Sequence, residues 1–390
     1  METKRVKALS VQNINNYKQQ LSFVLHNADV TVVNAVRRVI LSNIQTVVLR
    51  GFPDKENQIN IRKNTTRFNN EYLKHRLSCI PVHNVDEMEF ENFCNLYQMV
   101  IKEENDTLEK KHITTEHIKL INKTTKEEMK EDIEKYFPRD PISNEHILIC
   151  ILYPNFSQSK EENECIDLEA SFEIGCAKEN PCWNVVHHCA YECVQNHGEV
   201  EKAANQIENP MKRKDFMLLD AQRIVQPNVF TLTLEGIGIY DNTLIVKKAC
   251  RYILSRLSKI EEYFHPNNKK GTIMKKDEIV ELMKDGTSDE GQLLENMYCF
   301  LFKEDDFYIF ELRDDDYTIG KLLENHFFEL YEPETSFVGF KKDHPTKKEA
   351  YIYIKYKSNE MNDMTVYSHF SNLVANLIGL FRTIDDEFKI

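Results

Sequence analysis

The sequence predicts an α+β fold that consists of two similar halves, with a mainly β domain inserted into the first half. A segment at residues 23–32 matches a second segment 287 positions later, at residues 310–319, without a gap. In each copy, alternating apolar residues precede a short turn and then a helical pattern. An insertion of more than a hundred residues separates the first copy from the strand and helix that close its half.

The repeated segment predicts a strand followed by an amphipathic helix in each half. Three aspartates at residues 314–316 precede the second of these helices, where carboxylates suit the positive end of the helix dipole. The apolar stripe of that helix consists of Ile319, Leu322, Leu323, His326, Phe327 and Leu330. In the first copy, the stripe consists of Val33, Val36, Ile40 and Ile44. Arg37 and Arg38 project from its flank.

Each half closes with a second strand and a long amphipathic helix. Alternation at residues 230–234 precedes a helical stripe within residues 246–264, and alternation at residues 351–355 precedes one within residues 370–381. Apolar stripes of this kind must be buried, and the other half of the same chain is the nearest partner. The residues that we expect at this internal interface are Ile253, Leu257, Ile319, Leu322, Phe370 and Leu377.

The same pattern predicts the domain boundaries. The first half occupies residues 1–83 and 218–265, the inserted domain residues 84–217, a linker residues 266–296, and the second half residues 297–390. Within the insertion, a strongly apolar run at residues 146–153 and an alternating run at residues 166–172 predict a small sheet.

Composition excludes several classes of protein. The chain has 390 residues, of which 41% are hydrophobic and 29% charged, as in a folded globular protein. A net charge of −13 argues against direct binding to duplex DNA or to an anionic membrane. The sequence contains neither an 18-residue apolar run nor an N-terminal signal segment. We therefore expect an intracellular protein in a reducing compartment, with cysteines as free thiols or metal ligands.

A group of cysteines and histidines is the strongest candidate for chemistry. Its members are Cys165, Cys176, Cys182, His187, His188, Cys189, Cys193 and His197. Zinc sites usually contain a close Cys-x-x-Cys pair, and this group has none. Buried thiols are the favoured interpretation, so we assign no metal ligands. A metal-dependent enzyme or metal-binding module in the insertion is the alternative hypothesis.

The remaining motifs favour binding over catalysis. No Gly-rich phosphate loop is present, and the basic clusters are short and dispersed. Arg37 and Arg38 lie beside an apolar helical stripe, which suits docking of a partner that carries carboxylates. An intramolecular salt bridge explains this arginine pair equally well.

Three stretches of the first two-thirds of the chain resemble the assembly subunits of RNA polymerases. Residues 23–41 resemble the alpha motif shared by bacterial alpha, its archaeal D-type counterpart and the third-largest subunit of RNA polymerase II. Residues 64–81 resemble the pattern that ends in His-Arg-Leu-x-x-Ile-Pro, here with His75 and Arg76. Residues 167–183, which contain the single Trp, are similar to the family's Gly-x-Gly-Lys-x-His-Ala-Lys-Trp stretch.

The C-terminal part resembles a different component of the same enzymes. Residues 316–323, 337–340 and 344–345 are similar to the eleventh subunit of RNA polymerase II and to its archaeal L-type counterpart. In the family these two subunits are separate chains that form a heterodimer. Their order within one chain resembles the fused arrangement encoded by large cytoplasmic DNA viruses.

The resemblance implies a noncatalytic assembly scaffold of a DNA-directed RNA polymerase. Two alpha-motif halves would form an intramolecular pseudo-dimer through a four-helix interface, on which the second-largest and then the largest subunit assemble. Arg37, Arg38, His75 and Arg76 would contact these large subunits. A small zinc-binding subunit that resembles the tenth eukaryotic subunit would lie beside them. The chain itself would hold no cofactor or catalytic residue, and it would reach DNA only through the complex.

A viral origin would place the protein in the host cytoplasm, within viral factories, and in the virion. The sequence also departs from the family pattern. Gln45 stands where Pro is usual, Tyr317 replaces a His, and Lys321 replaces an Asn. Only Cys94 lies where some relatives carry a zinc-binding loop. We therefore expect the fold to be retained and individual partner contacts to differ.

Overall fold

The structure, a computed structural model, describes most of the chain. The described residues are 9–17, 20–129, 133–155, 163–264, 273–279, 297–358 and 361–388. The chain divides into two compact units. The first unit comprises residues 1–40, 188–234 and 242–390, and the second comprises residues 41–187 and 235–241.

Strands and helices alternate irregularly along the chain. The strands are β1 (Ser10–Tyr17), β2 (Gln20–His26), β3 (Gln45–Leu49), β4 (Ile59–Asn64), β5 (Tyr97–Glu104), β6 (Lys111–Thr114), β7 (Lys119–Asn122), β8 (Leu148–Leu152), β9 (Cys165–Cys176), β10 (Val186–Gln195), β11 (Val225–Gly236), β12 (Cys299–Glu304), β13 (Phe307–Arg313), β14 (Thr335–Lys341) and β15 (Glu349–Tyr356). The helices are α1 (Val30–Ser42), α2 (Asn70–Ser78), α3 (Phe90–Leu96), α4 (His197–Asn205), α5 (Pro210–Leu218), α6 (Asn242–Phe264), α7 (Tyr317–Tyr331) and α8 (Asp363–Glu387).

The first unit contains two four-stranded sheets, with strand orders β1-β2-β11-β10 and β12-β13-β15-β14. The period-2 pattern of β2 explains how it lies in its sheet, because Leu21, Phe23 and Leu25 are buried while the residues between them are more exposed. In the second sheet, β13 pairs with β15 in antiparallel register, with Phe310 opposite Ile352.

Long helices form the core of the first unit. Helix α6 packs along α8, and α7 also packs against α8. The ring of Phe370 in α8 is stacked on that of Phe264 in α6, with ring centres 4.9 Å apart. The rings of Phe327 in α7 and Phe310 in β13 lie 5.0 Å and 4.9 Å from Phe370. These four rings form an aromatic cluster that joins three helices and a strand.

The second unit is organised around β9. Strands β3 and β4 pair with successive stretches of β9, and β5 also pairs with β9 and carries β7 beyond it. Apolar residues alternate along these strands, so that Ile101 lies opposite Leu168 and Ile59 opposite Ala170. Strands β6 and β8 form a separate antiparallel pair. Helices α2 and α3 pack against these sheets.

The structure confirms the α+β class predicted from the sequence. The strand patterns at residues 230–234 and 351–355 lie within β11 and β15, and the two long stripes lie on α6 and α8. Strand β9 of the predicted insertion shares a sheet with β3 and β4, which precede residue 84. Hydrogen-bonded strand pairs thus join the predicted insertion to the part of the chain before residue 84. The predicted domain boundaries stay predictions.

Part of the predicted linker packs against the second half of the chain. Residues 266–272 and 280–296 lie outside the described residues. Between them, the Lys303 backbone N–H donates to the carbonyl oxygen of Met274 at 3.0 Å. Ile279 is buried in a cluster with Phe300 and Ile309. The described part of this segment is therefore bound to the sheet that contains β12.

None of the helices in the described parts of the chain combines the length and the apolar character that crossing a lipid bilayer requires.

Candidate partner-binding site

The two arginines of α1 have different partners. Arg37 donates from Nε and Nη2 to the side-chain oxygen of Asn34 in the same helix, at 3.2 Å and 2.9 Å. Arg38 instead donates from Nη2 to Oδ2 of Asp316 at 3.1 Å and from Nε to Oγ1 of Thr318 at 2.9 Å. For Arg38, the structure thus contains the intramolecular ion pair that the sequence left as one of two explanations. Contact of either arginine with a large subunit stays a prediction.

The carboxylate that binds Arg38 also caps a helix. Oδ1 of Asp316 accepts a hydrogen bond from the backbone N–H of Thr318 at 2.8 Å, at the start of α7. The repeat places Asp29 and Thr31 at the corresponding positions of α1, and Oδ2 of Asp29 accepts from the Thr31 backbone N–H at 2.7 Å. Both helices therefore begin with the same Asp-x-Thr cap, which typically contributes about 1 kcal/mol. Arg38 joins one copy of the repeat to the cap of the other.

Helix α2 carries the other two residues that the sequence predicted to contact the large subunits, and the two differ in exposure. His75 is exposed, and Arg76 is half-buried. The guanidinium of Arg76 donates to the backbone carbonyl oxygens of Ile149 at 2.9 Å and Leu148 at 2.5 Å. Arg76 therefore fixes α2 to β8. His75 remains on the surface beside it, so the two neighbours suit different roles.

An apolar surface borders Arg76. The α2 patch consists of Phe68, Tyr72 and Leu148, which are 37%, 47% and 37% exposed. Cζ of Arg76 lies 5.8 Å from the ring centre of Phe68 and 5.9 Å from that of Tyr72. Aromatic residues beside an arginine are typical of the core of protein–protein interfaces. Neither Phe68 nor Tyr72 was among the residues that the sequence predicted to bind a partner.

The sequence also gave no indication of the charge cluster around Arg50. This side chain is only 12% exposed and donates to Glu173 at 2.6 Å and to Glu179 at 2.7 Å. Its Cζ lies 4.7 Å from the ring centre of Trp183. A third carboxylate, that of Glu56, lies 3.3 Å from Nη1 of Arg50. Three carboxylates and an aromatic face thus hold one guanidinium, which fixes the turn around Trp183 to the end of β3. The only sequence signal was the resemblance of the stretch that contains Trp183.

Gly175 allows the indole ring of Trp183 to pack against β9. A Cβ at Gly175 would lie 2.8 Å from Cε3 of Trp183 and 2.9 Å from Cγ2 of Val48. We expect Gly175→Ala to displace the indole, to lower the free energy of unfolding by about 1–3 kcal/mol, and to shift the emission of the single Trp to longer wavelength. Tryptophan fluorescence during urea unfolding measures both effects.

Gly379 provides the matched control for this substitution. It lies in α8, and apart from its chain neighbours and the backbone of its own helix, a Cβ there would meet no atom within 4 Å. Gly379→Ala should leave the Trp183 emission unchanged and should stabilise the chain slightly, since alanine favours helix more than glycine does. An unshifted emission maximum in Gly175→Ala would contradict the close packing of the indole on β9.

The cysteines and histidines singled out in the sequence do not converge. Within the described residues, no three His, Cys, Asp or Glu side chains are arranged to hold a metal ion. Cys165 and Cys176 stand at opposite ends of β9, about 35 Å apart along an extended strand. Burial raises the pKa of Cys182 to about 12 and that of Cys189 to about 12, so both are neutral thiols near pH 7.

The residues predicted for the internal interface are all buried in the first unit. Each of them is at most 1% exposed: Ile253, Leu257, Ile319, Leu322, Phe370 and Leu377. They lie on α6, α7 and α8, which pack together. Their role as the interface of a pseudo-dimer stays a prediction.

Comparison with known proteins assigns a family to this arrangement. The family model described as the RNA polymerase Rpb3/Rpb11 dimerisation domain matches residues 22–257, which is more than half of the chain. This range includes the first copy of the repeat, α2, β9, the Trp183 turn and most of α6.

Two curated relatives match shorter stretches. A conjugation stage-specific protein of Tetrahymena thermophila is 25% identical over 189 residues, which cover 46% of this chain and 56% of the relative. The DNA-directed RNA polymerase II subunit RPB3 of Schizosaccharomyces pombe is 36% identical over 81 residues, which cover 20% of this chain and 24% of the relative. The chain thus spans about half, or less, of the length of these relatives. On the strength of the family model, the chain belongs to the RNA polymerase Rpb3/Rpb11 dimerisation-domain family.

Proposed function

We propose that this chain is a noncatalytic assembly subunit of a multisubunit DNA-directed RNA polymerase. Its two halves pair within one chain as a pseudo-dimer, with α1, α6, α7 and α8 as the four helices of the interface. The second-largest and then the largest catalytic subunit assemble on this platform for transcription. Membership of the dimerisation-domain family supports the proposal, as does the likeness to a relative named as an RNA polymerase II subunit.

One observation supports the pairing of the halves above the others. Arg38 of the first alpha motif binds Asp316 and Thr318, which cap the helix of the second alpha motif. The closing helices of the two halves, α6 and α8, also pack against each other through the stacked rings of Phe264 and Phe370. Both contacts join equivalent elements of the repeat, as expected when one chain supplies both members of a dimer.

The proposal extends to the partners and to the domain organisation. Arg37, His75 and the α2 patch contact the large subunits, while Arg38 and Arg76 hold the platform in shape. A small zinc-binding subunit that resembles the tenth eukaryotic subunit lies beside the chain, which itself binds no cofactor and meets DNA only through the complex. The two halves follow each other in one chain, with residues 266–296 between them. This order supports a fusion of two subunits that are separate chains in other RNA polymerases. A viral origin is part of the same proposal, because large DNA viruses encode such a fusion.

Affinity purification tests the proposal directly. A tagged chain is isolated gently from its natural source, and the proteins that accompany it are identified by mass spectrometry. We expect two very large polymerase subunits near one-to-one stoichiometry with the chain, and RNA synthesis activity in the isolated complex. Recovery of a folded chain without large partners would contradict an assembly role.

Charge reversal on α2 tests which surface binds the large subunits. His75 is exposed on α2, and its replacement by glutamate places a negative charge beside the α2 patch. We expect His75→Glu to reduce recovery of the large subunits at least about tenfold while the melting temperature stays close to that of the unsubstituted chain. Lys212→Glu, on the exposed surface of α5, is the matched control and should leave recovery unchanged. Equal recovery with both variants would exclude this surface.

A double-mutant cycle measures the link between the two alpha motifs. Asp316→Asn keeps a side-chain oxygen for the helix cap but removes the charge that Arg38 binds. Because this ion pair is partly exposed, we expect a coupling energy of about 0.2–1 kcal/mol between Arg38→Ala and Asp316→Asn. Denaturant unfolding of the single and double variants gives this value. Strictly additive effects would mean that the ion pair does not link the motifs energetically.

A further inference from the structure

One edge of the sheet that contains β12 is closed by residues 273–279, which we call the edge segment. Among the strands that the structure describes, β12 pairs with β13 alone, so its other side is an edge of the sheet. At that edge, the backbone N–H of Lys303 donates to the carbonyl oxygen of Met274 at 3.0 Å. A parallel bridge also joins Lys275 to Lys303. The edge segment thus lies where a further strand would add to the sheet.

A second backbone donor of β12 is also bound from outside the sheet. The N–H of Leu301, two residues before Lys303, donates to Oη of Tyr263 in α6 at 2.9 Å. N–H groups two positions apart along a strand point to the same side, so both donors belong to the outer edge of β12. Unpaired groups at a sheet edge are a template for pairing with another chain, and here both donors already have acceptors.

The edge segment also covers one face of β12. Residues 299–302 are apolar without alternation, and all four are between 2% and 5% exposed. A strand of this kind is buried on both faces. Ile279 of the edge segment is 5% exposed and belongs to a cluster with Phe300, Phe302 and Ile309. Ile279 therefore helps to bury the apolar side chains that β12 directs away from its other face.

Polar contacts hold the edge segment at two further points. The backbone N–H of Ile273 donates to Oδ2 of Asp363, the first residue of α8, at 3.0 Å. Nζ of Lys276 lies 2.7 Å from Oε1 of Glu304, the last residue of β12. Because the side chains of this ion pair are exposed, the pair contributes little to stability. Burial of Ile279 is therefore the contact whose loss should release the edge segment.

We propose that the outer edge of β12 is a strand-addition surface for β12 of a second copy of this chain, and that the edge segment keeps this surface closed. The strand pairs of this sheet are antiparallel, whereas the edge segment meets β12 through a parallel bridge. Two copies of β12 related by a two-fold axis pair antiparallel and continue the pattern of the sheet. A short apolar run without Pro or Gly, as at residues 299–302, favours such pairing once it is exposed. The inference does not depend on the proposed polymerase role.

Self-association of full-length variants tests the proposal. Ile279→Asp places a carboxylate against the apolar cluster and should release the edge segment. We expect size-exclusion chromatography with light scattering to find the unsubstituted chain monomeric, and Ile279→Asp at an average mass at least about twice that of one chain. Asp277→Ala changes an exposed residue of the same segment and is the control, which should stay monomeric.

A proline at the edge distinguishes strand addition from unfolding. Proline has no N–H and is tolerated on the outward side of an edge strand, so adding Lys303→Pro to Ile279→Asp removes a donor that the second copy needs. We expect the double variant to be monomeric, with the circular dichroism of the unsubstituted chain. Equal association of the single and double variants would overturn the proposal, because another surface would then be responsible.

A monomeric Ile279→Asp would overturn the proposal as well. Hydrogen exchange of the β12 amides, measured by mass spectrometry, shows which part of it fails. Faster exchange than in the unsubstituted chain would mean that the edge is open and still does not pair. Unchanged exchange would mean that the edge segment stays in place without Ile279, so that this residue does not control the edge.

Discussion

Replacing Leu377 with aspartate should lower the free energy of unfolding by at least about 4 kcal/mol. Leu377 lies on α8 and is 1% exposed, in the core that α8 forms with α6 and α7. Loss of a buried leucine side chain alone costs about 2–5 kcal/mol. An unpaired carboxylate in the same place adds a desolvation penalty. Urea unfolding followed by circular dichroism measures the change.

Two further variants separate burial from charge. Asn376→Asp adds the same carboxylate at the adjacent, exposed position of α8 and should change the free energy of unfolding by less than about 0.5 kcal/mol. Leu377→Met keeps the volume and the apolar character, so we expect a loss below about 1.5 kcal/mol. A variant with Leu377→Asp that melts like the unsubstituted chain would disprove the packing of α8 that underlies the proposed pseudo-dimer.

Periodicity was sufficient to predict the helices that carry the core. The stripes that include Leu257 and Leu377 repeat every three to four residues over long segments, and both segments form single helices, α6 and α8. The three aspartates at residues 314–316 likewise indicated the start of α7, where Asp316 is the capping residue. The helices and the helix start depend on residues that are close in sequence, so the local pattern of residues is enough to predict them.

Contacts between distant residues were harder to predict. The pairing of β9 with β3 and β4 follows from tertiary packing, and no local pattern in the insertion indicates which strands it will meet. The partner of Arg38 was equally open, because the sequence shows an arginine on a helix flank but not the carboxylate that faces it. The Arg50 cluster was missed for the same reason.

Gly320 illustrates how a distant contact determines a local choice. Glycine within a helix is unfavourable by about 1 kcal/mol relative to alanine, yet Gly320 lies in the first turns of α7. A Cβ at this position would lie 1.9 Å from Cε2 of Phe340 in β14. The close approach of the Phe340 ring to the α7 backbone explains the glycine, and it is visible only when the strand and the helix are seen together.

Phe370→Ala should be the second severe substitution, with a loss of about 3–5 kcal/mol in the free energy of unfolding. The ring of Phe370 is fully buried and contacts Phe264, Phe310 and Phe327. Its removal leaves a cavity between α6, α7 and α8 and abolishes three aromatic contacts, each worth about 0.5–1.5 kcal/mol beyond burial. Phe328→Ala on α7 removes a ring that is 43% exposed and serves as the matched control, with an expected loss below about 1 kcal/mol.

The stacked pair offers a sharper test of how the two halves are held together. Phe264 lies on α6, the closing helix of the first half, and Phe370 lies on α8, the closing helix of the second half. Their contact should therefore contribute to the interface if the two halves form a pseudo-dimer. We expect Phe264→Leu and Phe370→Leu to couple by about 0.5–1.5 kcal/mol in a double-mutant cycle, because each leucine removes the stacking but preserves most of the apolar volume. Independent effects of the two substitutions would mean that α6 and α8 are each stabilised by their own sheet. The pairing of the halves would then have to depend on other contacts, of which the Arg38–Asp316 ion pair is the first to examine.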